Sequence, residues 1–361
     1  LSRFAGNEEL ASAVRKVASI YNAKGRPDKA MELWTMNVEA SPDSVDAMLS
    51  QMDIIYAVID NNDVDDATVD AEVEKLLTRF AKQPSLPQQV LDMGARYRDK
   101  KDYDRAIHFY NLINQKWSKT DSAFWATFET GKVKIEVADH NGVQVAMDRM
   151  ITDFNDHPSL AVRLACLGDE YFYDRNYPKA IDIWKLVLND YPGQGPTMIA
   201  YLLGSAHERL KDYAAAARYY EQSVAEYPKC RYAYRVPYRL GLVCRTMGEY
   251  DKAIEWFKRQ RTMHPENEMY VDRSLSSQAA TYYYDLKDYE KAAETYEQYI
   301  TEFPDDMRIS TMYLYWARCH AKLGRTDWAE AVLEAALVKL RDSERAETLR
   351  NELEGLQKGA K

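Results

Sequence analysis

Glycine and proline are scarce, 14 and 12 among 361 residues, and they are spaced at regular places rather than bunched. That leaves little room for flexible linkers or low-complexity segments. Cysteine is scarcer still. Cys166, Cys230, Cys244 and Cys319 form no CxxC pair, so the sequence carries neither a disulfide framework nor a paired-cysteine metal site. A single helix running from Cys230 to Cys244 would hold them about 20 Å apart, too far for a bridge. All four read as free thiols, mostly in the core. No apolar run approaches the ~20 residues that span a bilayer, so no transmembrane segment is expected. Positive charge is also in short supply: the formal charge is −9 and the pI is near 5.4. Without clustered Lys and Arg, counterion release cannot drive binding to nucleic acid or anionic lipid, and no nucleic-acid partner is expected.

What is present is 46% hydrophobic and 29% charged residues, enough apolar material for a large core, with 27 Tyr against 9 Phe. Tyrosine-rich helices suit surfaces that are half buried and half wet, because the ring packs while its hydroxyl reaches water. Length alone allows two ordinary domains or one long array. The sequence opens on Leu1 without an initiator methionine, as it would after removal of a leader or if it begins inside its gene.

Internal repetition decides between those organisations. A short turn, an aromatic and then Ala recur as KDYDRA ending at Ala106, RNYPKA at Ala180 and KDYAAA at Ala216. The phrase continues as GEYDKA at Ala253, KDYEKA at Ala292 and GRTDWA at Ala329. Twelve residues after most of these alanines stands a proline: Pro192, Pro228, Pro265 and Pro304, with Ala30 preceding Pro42 in the same way. Counting back from Pro158 makes Ala146 the anchor of the intervening unit, and the spacings from Ala106 are then 40, 34, 36, 37, 39 and 37.

Each unit reads as helix A, a tight turn, helix B and a proline stop. Ala200, Leu203, Gly204 and His207 keep helical steps in one helix A, as do Ala216, Tyr220 and Val224 in the helix B that follows. A small residue (Gly94, Gly168, Gly204, Gly241, Ala280, Ala317) lies twelve before the anchor. Small side chains at both places let the helices approach closely, and a bulky replacement should cost about 1–3 kcal/mol. Proline cannot continue helix B. One unit cannot bury its own apolar face, so units must stack.

This small–aromatic–aromatic–Ala–aromatic–Pro pattern resembles the tetratricopeptide repeat over residues 11–341. The resemblance implies an all-α, right-handed superhelical solenoid of antiparallel helix pairs with about nine units. A first repeat falls at 11–42, a degenerate helical unit at 43–86, further repeats through 87–341 and a capping helix at 342–358. The closing phrases NDYPGQ, AEYPKC and TEFPDD are similar to those of a bacterial subclass that includes the outer-membrane assembly lipoprotein BamD and the Tol-associated protein CpoB (YbgF). That closer likeness implies a bacterial periplasm or cell envelope, with the cytoplasm as the other option.

The pattern weakens at 43–86, where Ile54, Ile55, Val58 and Ile59 make one apolar face and Val69, Val73, Leu76, Leu77 and Phe80 the next. Between them runs Asp60-Asn61-Asn62-Asp63-Val64-Asp65-Asp66. A calcium loop would need Gly where Asp65 stands and Glu where Ala71 stands. A solvated turn, with Asp66 or Thr68 capping the next helix, is expected instead. Near the other end, Leu349, Leu353 and Leu356 line one face of a charged helix suited to closing the stack.

No nucleophile elbow, phosphate-binding loop, dinucleotide fingerprint or HExxH motif occurs. Gly193-Gln194-Gly195-Pro196 reads as a connection between repeats, and His207 and His320 as packing residues at the core edge. The expectation is a protein with no enzymatic activity, no cofactor and no metal.

In the family that this pattern resembles, helix A lines the inner face of the solenoid. Carried onto this chain, that register supplies Asp169, Phe172 and Tyr173, then Met198, Tyr201, Ser205, Glu208 and Arg209. Next come Arg235, Tyr238, Leu242 and Arg245, then Ser277, Thr281 and Tyr284, and finally Leu314, Arg318 and Lys322. The implied partner-binding groove is Phe172, Tyr173, Tyr201, Arg209, Arg235, Tyr238, Arg245, Tyr284, Arg318 and Lys322. Tyr and Arg are the types that most often dominate binding energy in desolvated pockets, although Tyr at helical spacing also packs between helices. The lysine clamp of cochaperones in this family is missing: its place holds Arg15, Leu91, Ala165, Tyr201 and Tyr238.

The leading expectation is a protein-interaction scaffold gripping a segment of a protein partner. One alternative is a structural subunit of a homo- or hetero-oligomer. Another is a polysaccharide binder stacking sugars on Tyr201, Tyr238 and Tyr284.

Overall fold

A polar residue followed three positions later by a free N–H is the local device from which this fold is assembled. Side chains of Asp65, Asp102, Asp139, Asn176, Asp212 and Asp288 each accept a hydrogen bond from the backbone N–H three residues on. This satisfies one of the donors that every helix start leaves open. The computed structural model describes residues 8–40, 43–60, 65–340 and 346–359. Among them are nineteen α-helices and no strand.

The chain divides into two compact units, 1–160 and 161–361. In the first, four helix pairs follow one another: α1 (Glu8–Ala23) with α2 (Pro27–Ala40), and α3 (Val45–Asp60) with α4 (Asp66–Arg79). Then come α5 (Leu86–Asp99) with α6 (Tyr103–Lys116), and α7 (Asp121–Glu136) with α8 (His140–Asp153). The second unit is entered through α9 (Leu160–Tyr173), which pairs with α10 (Tyr177–Asp190). It continues as α11 (Ile199–Arg209) with α12 (Tyr213–Glu226), and α13 (Val236–Thr246) with α14 (Tyr250–Met263). The last pairs are α15 (Glu268–Ala280) with α16 (Tyr289–Glu302) and α17 (Ile309–Lys322) with α18 (Thr326–Lys339), followed by α19 (Ala346–Gly359). The architecture is an all-helical repeat solenoid.

The register is more even than the sequence alone suggests. In each pair the first backbone N–H of helix B to close a turn belongs to the anchor residue, bonded to the carbonyl four before it. These anchors are Ala30, Val69, Ala106, Val143, Ala180, Ala216, Ala253, Ala292 and Ala329. They are 39, 37, 37, 37, 36, 37, 39 and 37 residues apart. The anchor of the unit between Ala106 and Ala180 is therefore Val143, not Ala146. Asp139 caps α8 and fixes the start. Pro158 lies three residues later in its unit than the other prolines do, so counting back from it overshoots. Likewise α4 is capped by Asp65, which accepts from Thr68 N–H; Asp66 is the first helical residue and Thr68 the donor. Pro42 and residues 61–64 of the acidic run lie outside the described residues.

The turn between A and B uses the left-handed region one residue before the cap. Gly25, Gly248 and Gly324 sit there at φ 70°, 81° and 74°. Lys101, Ala138, Arg175, Lys211 and Lys287 adopt the same conformation at φ 62°, 57°, 62°, 62° and 54°. At that point the chain closes a bond back to helix A, as when Asp212 N–H donates to His207 O at 2.9 Å. This is the device by which helices commonly end.

Helices A and B then meet glycine to ring. A Cβ added to Gly94, Gly168, Gly204 or Gly241 would lie 2.3, 2.6, 2.6 or 2.3 Å from the rings of Tyr110, Trp184, Tyr220 and Phe257. Those rings stand four residues past the anchor alanine and are fully buried. At the end of the chain, Ala346 and Leu349 of α19 are buried. Leu349 belongs to the core of the last pairs, with Leu353 and Leu356 against it. None of the four cysteines forms a disulfide; Cys166 is half-buried and the other three are buried, and burial pushes the Cys244 thiol up to about 11 and Cys319 up to about 12.

Candidate binding site

Three successive A helices of the second unit, α9, α11 and α13, enclose one concavity of about 250 Å³. From α9 come Asp169, Phe172 and Tyr173, with Trp184 of α10 behind them. The entry and body of α11 add Met198, Tyr201, Leu202, Ser205 and Arg209. Tyr232, Arg235 and Arg239 close it from the 3-10 turn Ala233–Arg235 and α13. Five of the ten residues in the expected groove are thus gathered at one place: Phe172, Tyr173, Tyr201, Arg209 and Arg235.

Their environments differ, and so do their possible roles. Phe172 packs against Trp184 and Tyr177 at ring separations of 5.6 and 5.3 Å, while Tyr173 is 79% exposed. Tyr201 is only 8% exposed, its ring set against Tyr232 at 4.9 Å and Tyr220 at 5.8 Å. That corrects its assignment as a sugar-stacking platform, because its faces are already covered. Trp184 Nε1 donates to Ala165 O at 3.1 Å and Asp169 Oδ1 at 3.2 Å. Burial pushes the Asp169 carboxyl up to about 6, against the opposing effect of that hydrogen bond.

The arginines are of two kinds. Arg239 is held by Glu208 at 3.3 Å, and Glu208 also accepts from the Tyr220 hydroxyl at 2.8 Å. Arg235 Nε donates to the Tyr234 hydroxyl at 3.0 Å and its guanidinium lies 5.1 Å from the Tyr232 ring centre. No carboxylate pairs with Arg235, and none with exposed Arg209, among the described residues. Trp184, Leu202, Tyr232 and Arg239 were not expected from the register of helix A. Arg239 lies one helical turn beyond Arg235, a spacing visible in the sequence, whereas Tyr232 sits in a connection that no helical register covers.

Much of the rest of the stripe is engaged within the protein. Arg245 Nε is 2.5 Å from Asp285 Oδ2. Arg318 grips Glu352 of α19 through two bonds of 2.9 and 2.7 Å. Tyr284 is exposed, but its hydroxyl is hydrogen-bonded to that of Tyr315. Tyr238 is half-buried, edge-on to Tyr270 at 5.6 Å, Leu314 is buried, and Lys322 is exposed at the end of α17. None of these residues lines the recess of α9, α11 and α13. His207 and His320 do pack, stacked on Tyr219 at 5.3 Å and Trp328 at 5.8 Å. No helix among the described residues is long and apolar enough to cross a membrane.

Comparison with known proteins gives a consistent picture of the repeats. Family profiles described as tetratricopeptide repeat match residues 167–229, 201–268 and 283–353, all within the second unit. No curated protein matches the sequence. Among solved structures the chain is similar to the C-terminal part of a TPR repeat-containing protein from Cytophaga hutchinsonii. That match has 15% identity, 72% of this chain and 98% of that one covered, and a TM-score of 0.48. It is also similar to PilF of Pseudomonas aeruginosa, at 17% identity with 64% and 98% covered and a TM-score of 0.38. A third is the TPR domain of P58(IPK), at 13% identity with 97% and 99% covered and a TM-score of 0.33.

Proposed function

We propose that this tetratricopeptide-repeat chain is a non-enzymatic scaffold that holds a segment of a protein partner in the concavity of α9, α11 and α13. Proteins built from such repeats generally mediate protein–protein interactions. The observation that carries the reading here is the convergence of aromatic side chains and carboxylate-free guanidiniums on one recess. Arg and aromatic residues in a partly desolvated recess are the anchors on which binding energy concentrates. The walls are fixed before any partner arrives, by glycine-to-ring packing and ring-on-ring contacts. Little ordering entropy is then lost on binding. A bacterial cell envelope is the proposed setting, supported by the closing phrases NDYPGQ, AEYPKC and TEFPDD.

The test is a comparative capture from lysate, read by mass spectrometry, with the parent beside a Tyr173→Ala/Arg209→Glu double variant. Both side chains are exposed, so the variant should fold, and circular dichroism checks that it does. Loss of a captured protein with the folded variant is the expected result. Equal capture by both would mean that the recess is not the binding surface and would favour a role as an assembly subunit.

A further inference from the structure

Two of the arginines that line the recess lack the ion pairs that engage others on the A helices of the second unit. The protein is acidic, with 57 Asp and Glu against 48 Lys and Arg, and carboxylates are available to neutralise most arginines. On the A helices of the second unit they do so at Arg245 and Arg318. At Arg209 and Arg235 they do not: these two side chains line the same recess with no carboxylate on either. Arg239 is only half exempt, sharing Glu208 with Tyr220. Around these charges the walls are apolar or aromatic, from Phe172, Tyr173, Met198 and Leu202.

We infer that the recess takes an acidic peptide segment of a partner protein, in which an aromatic or aliphatic side chain enters the cavity while a neighbouring Asp or Glu meets Arg209 and Arg235. This deepens the scaffold reading and rests on it. Three arguments select this occupant. Guanidinium groups without an internal carboxylate can form charge-assisted, often bidentate bonds to carboxylates, and those bonds are the strong ones. The volume of about 250 Å³ is below the roughly 300–1,000 Å³ of small-molecule pockets, which is room for a side chain or two of a bound chain. Asp169 lines the same recess and Glu208 is paired with its Arg239, and these two carboxylates oppose a dense polyanion while tolerating a single carboxylate next to an apolar group. A nucleic acid strand, with a phosphate at every nucleotide, is therefore disfavoured.

The experiment pans a random twelve-residue peptide library over the full chain, and in parallel over Arg209→Glu and Tyr173→Ala variants shown to be folded by circular dichroism. Enriched peptides are then resynthesised for fluorescence anisotropy. The expected result is enrichment of Asp or Glu beside Phe, Tyr, Trp, Leu or Met. Affinity should drop at least tenfold on Arg209→Glu, and a Lys-for-Asp version of the same peptide should regain binding to that variant. Raising salt should weaken the parent complex, and a single-stranded oligonucleotide should not displace the peptide. Enriched peptides without acidic residues that are still lost on Tyr173→Ala would overturn this inference and leave the scaffold reading standing. Displacement by the oligonucleotide would also overturn it, in favour of nucleic acid. No peptide dependent on either variant would count against both.

Discussion

Asp169 shows how a single side chain on a wall of the recess feels its surroundings. Its carboxyl loses water on folding, and its pKa rises from 3.8 to about 6. An acid raised in this way favours the fold most when protonated. The stability it allows is complete below pH 3.8 and is lost as pH rises through about 6. One pKa unit corresponds to ~1.4 kcal/mol, and partial exposure lowers the effect, leaving about 1–2 kcal/mol. Asp169→Asn keeps an acceptor for Trp184 and removes the charge. The variant should match the parent near pH 4 and melt a few degrees higher above pH 6 to 7. Thermal melts at a series of pH values check this; equal melting temperatures at pH 8 would mean that the carboxylate is solvated. The residue type at 169 is plain in the sequence, but its titration is not, because the indole that holds it comes from a different helix.

At the scale of helix pairs, the same few positions do the same job from unit to unit. Gly204 is the clearest, since a Cβ there would meet the Tyr220 ring at 2.6 Å. Buried on both sides, that ring has nowhere to retreat. Gly204→Ala should cost about 1–3 kcal/mol by overpacking, measured by urea denaturation. Combining it with Tyr220→Leu should recover part of the loss, an outcome that a purely backbone effect of glycine would not produce. The A-to-B turn predicts the opposite sign. Lys211 holds φ 62°, a conformation that costs an L-residue roughly 1–2 kcal/mol and that glycine adopts freely. Lys211→Gly should therefore be neutral to stabilising by up to about 1 kcal/mol, while Gly248→Ala at the equivalent place should destabilise. Most of this was legible beforehand, because the small residue, the anchor and the cap recur at fixed offsets. Proline spacing points to Ala146 in place of Val143, because proline only ends helix B. The hydrogen bond that begins helix B sets the register.

At the scale of the molecule, the second unit carries its own core. Tyr201, Tyr220 and Leu240 belong to one buried cluster, and Leu275, Tyr296 and Leu333 to another. The final helix adds Leu349 to the latter. Repeat arrays gain stability from neighbouring interfaces, not from distant ones. A fragment of residues 158–361, which retains the whole of α9, should accordingly be helical and melt cooperatively. Ending it at residue 340 instead removes a buried Leu349 and the Arg318–Glu352 pair, and should lower its stability by at least about 2 kcal/mol. Circular dichroism on the two fragments decides both points; a non-cooperative melt of 158–361 would show that this unit does not stand alone.

What the sequence determined by itself is the repeat: its period, the glycine that admits the ring, the polar cap and the aromatic-rich A helices. Each of these is a local requirement, satisfied within one pair of helices and so written at fixed spacing. Which arginines stay available was decided only in three dimensions. Arg245 finds Asp285 forty residues away, and Arg318 finds Glu352 thirty-four away. These distances are about one repeat, so the partner is supplied by the next layer of the stack. Arg209 and Arg235 look the same in the sequence, yet no neighbouring layer sets a carboxylate against either, and Arg235 meets the hydroxyl of Tyr234 beside it in the chain. Stacking sets charge against charge across repeats, and only where it fails to do so is a guanidinium left for something else to bind.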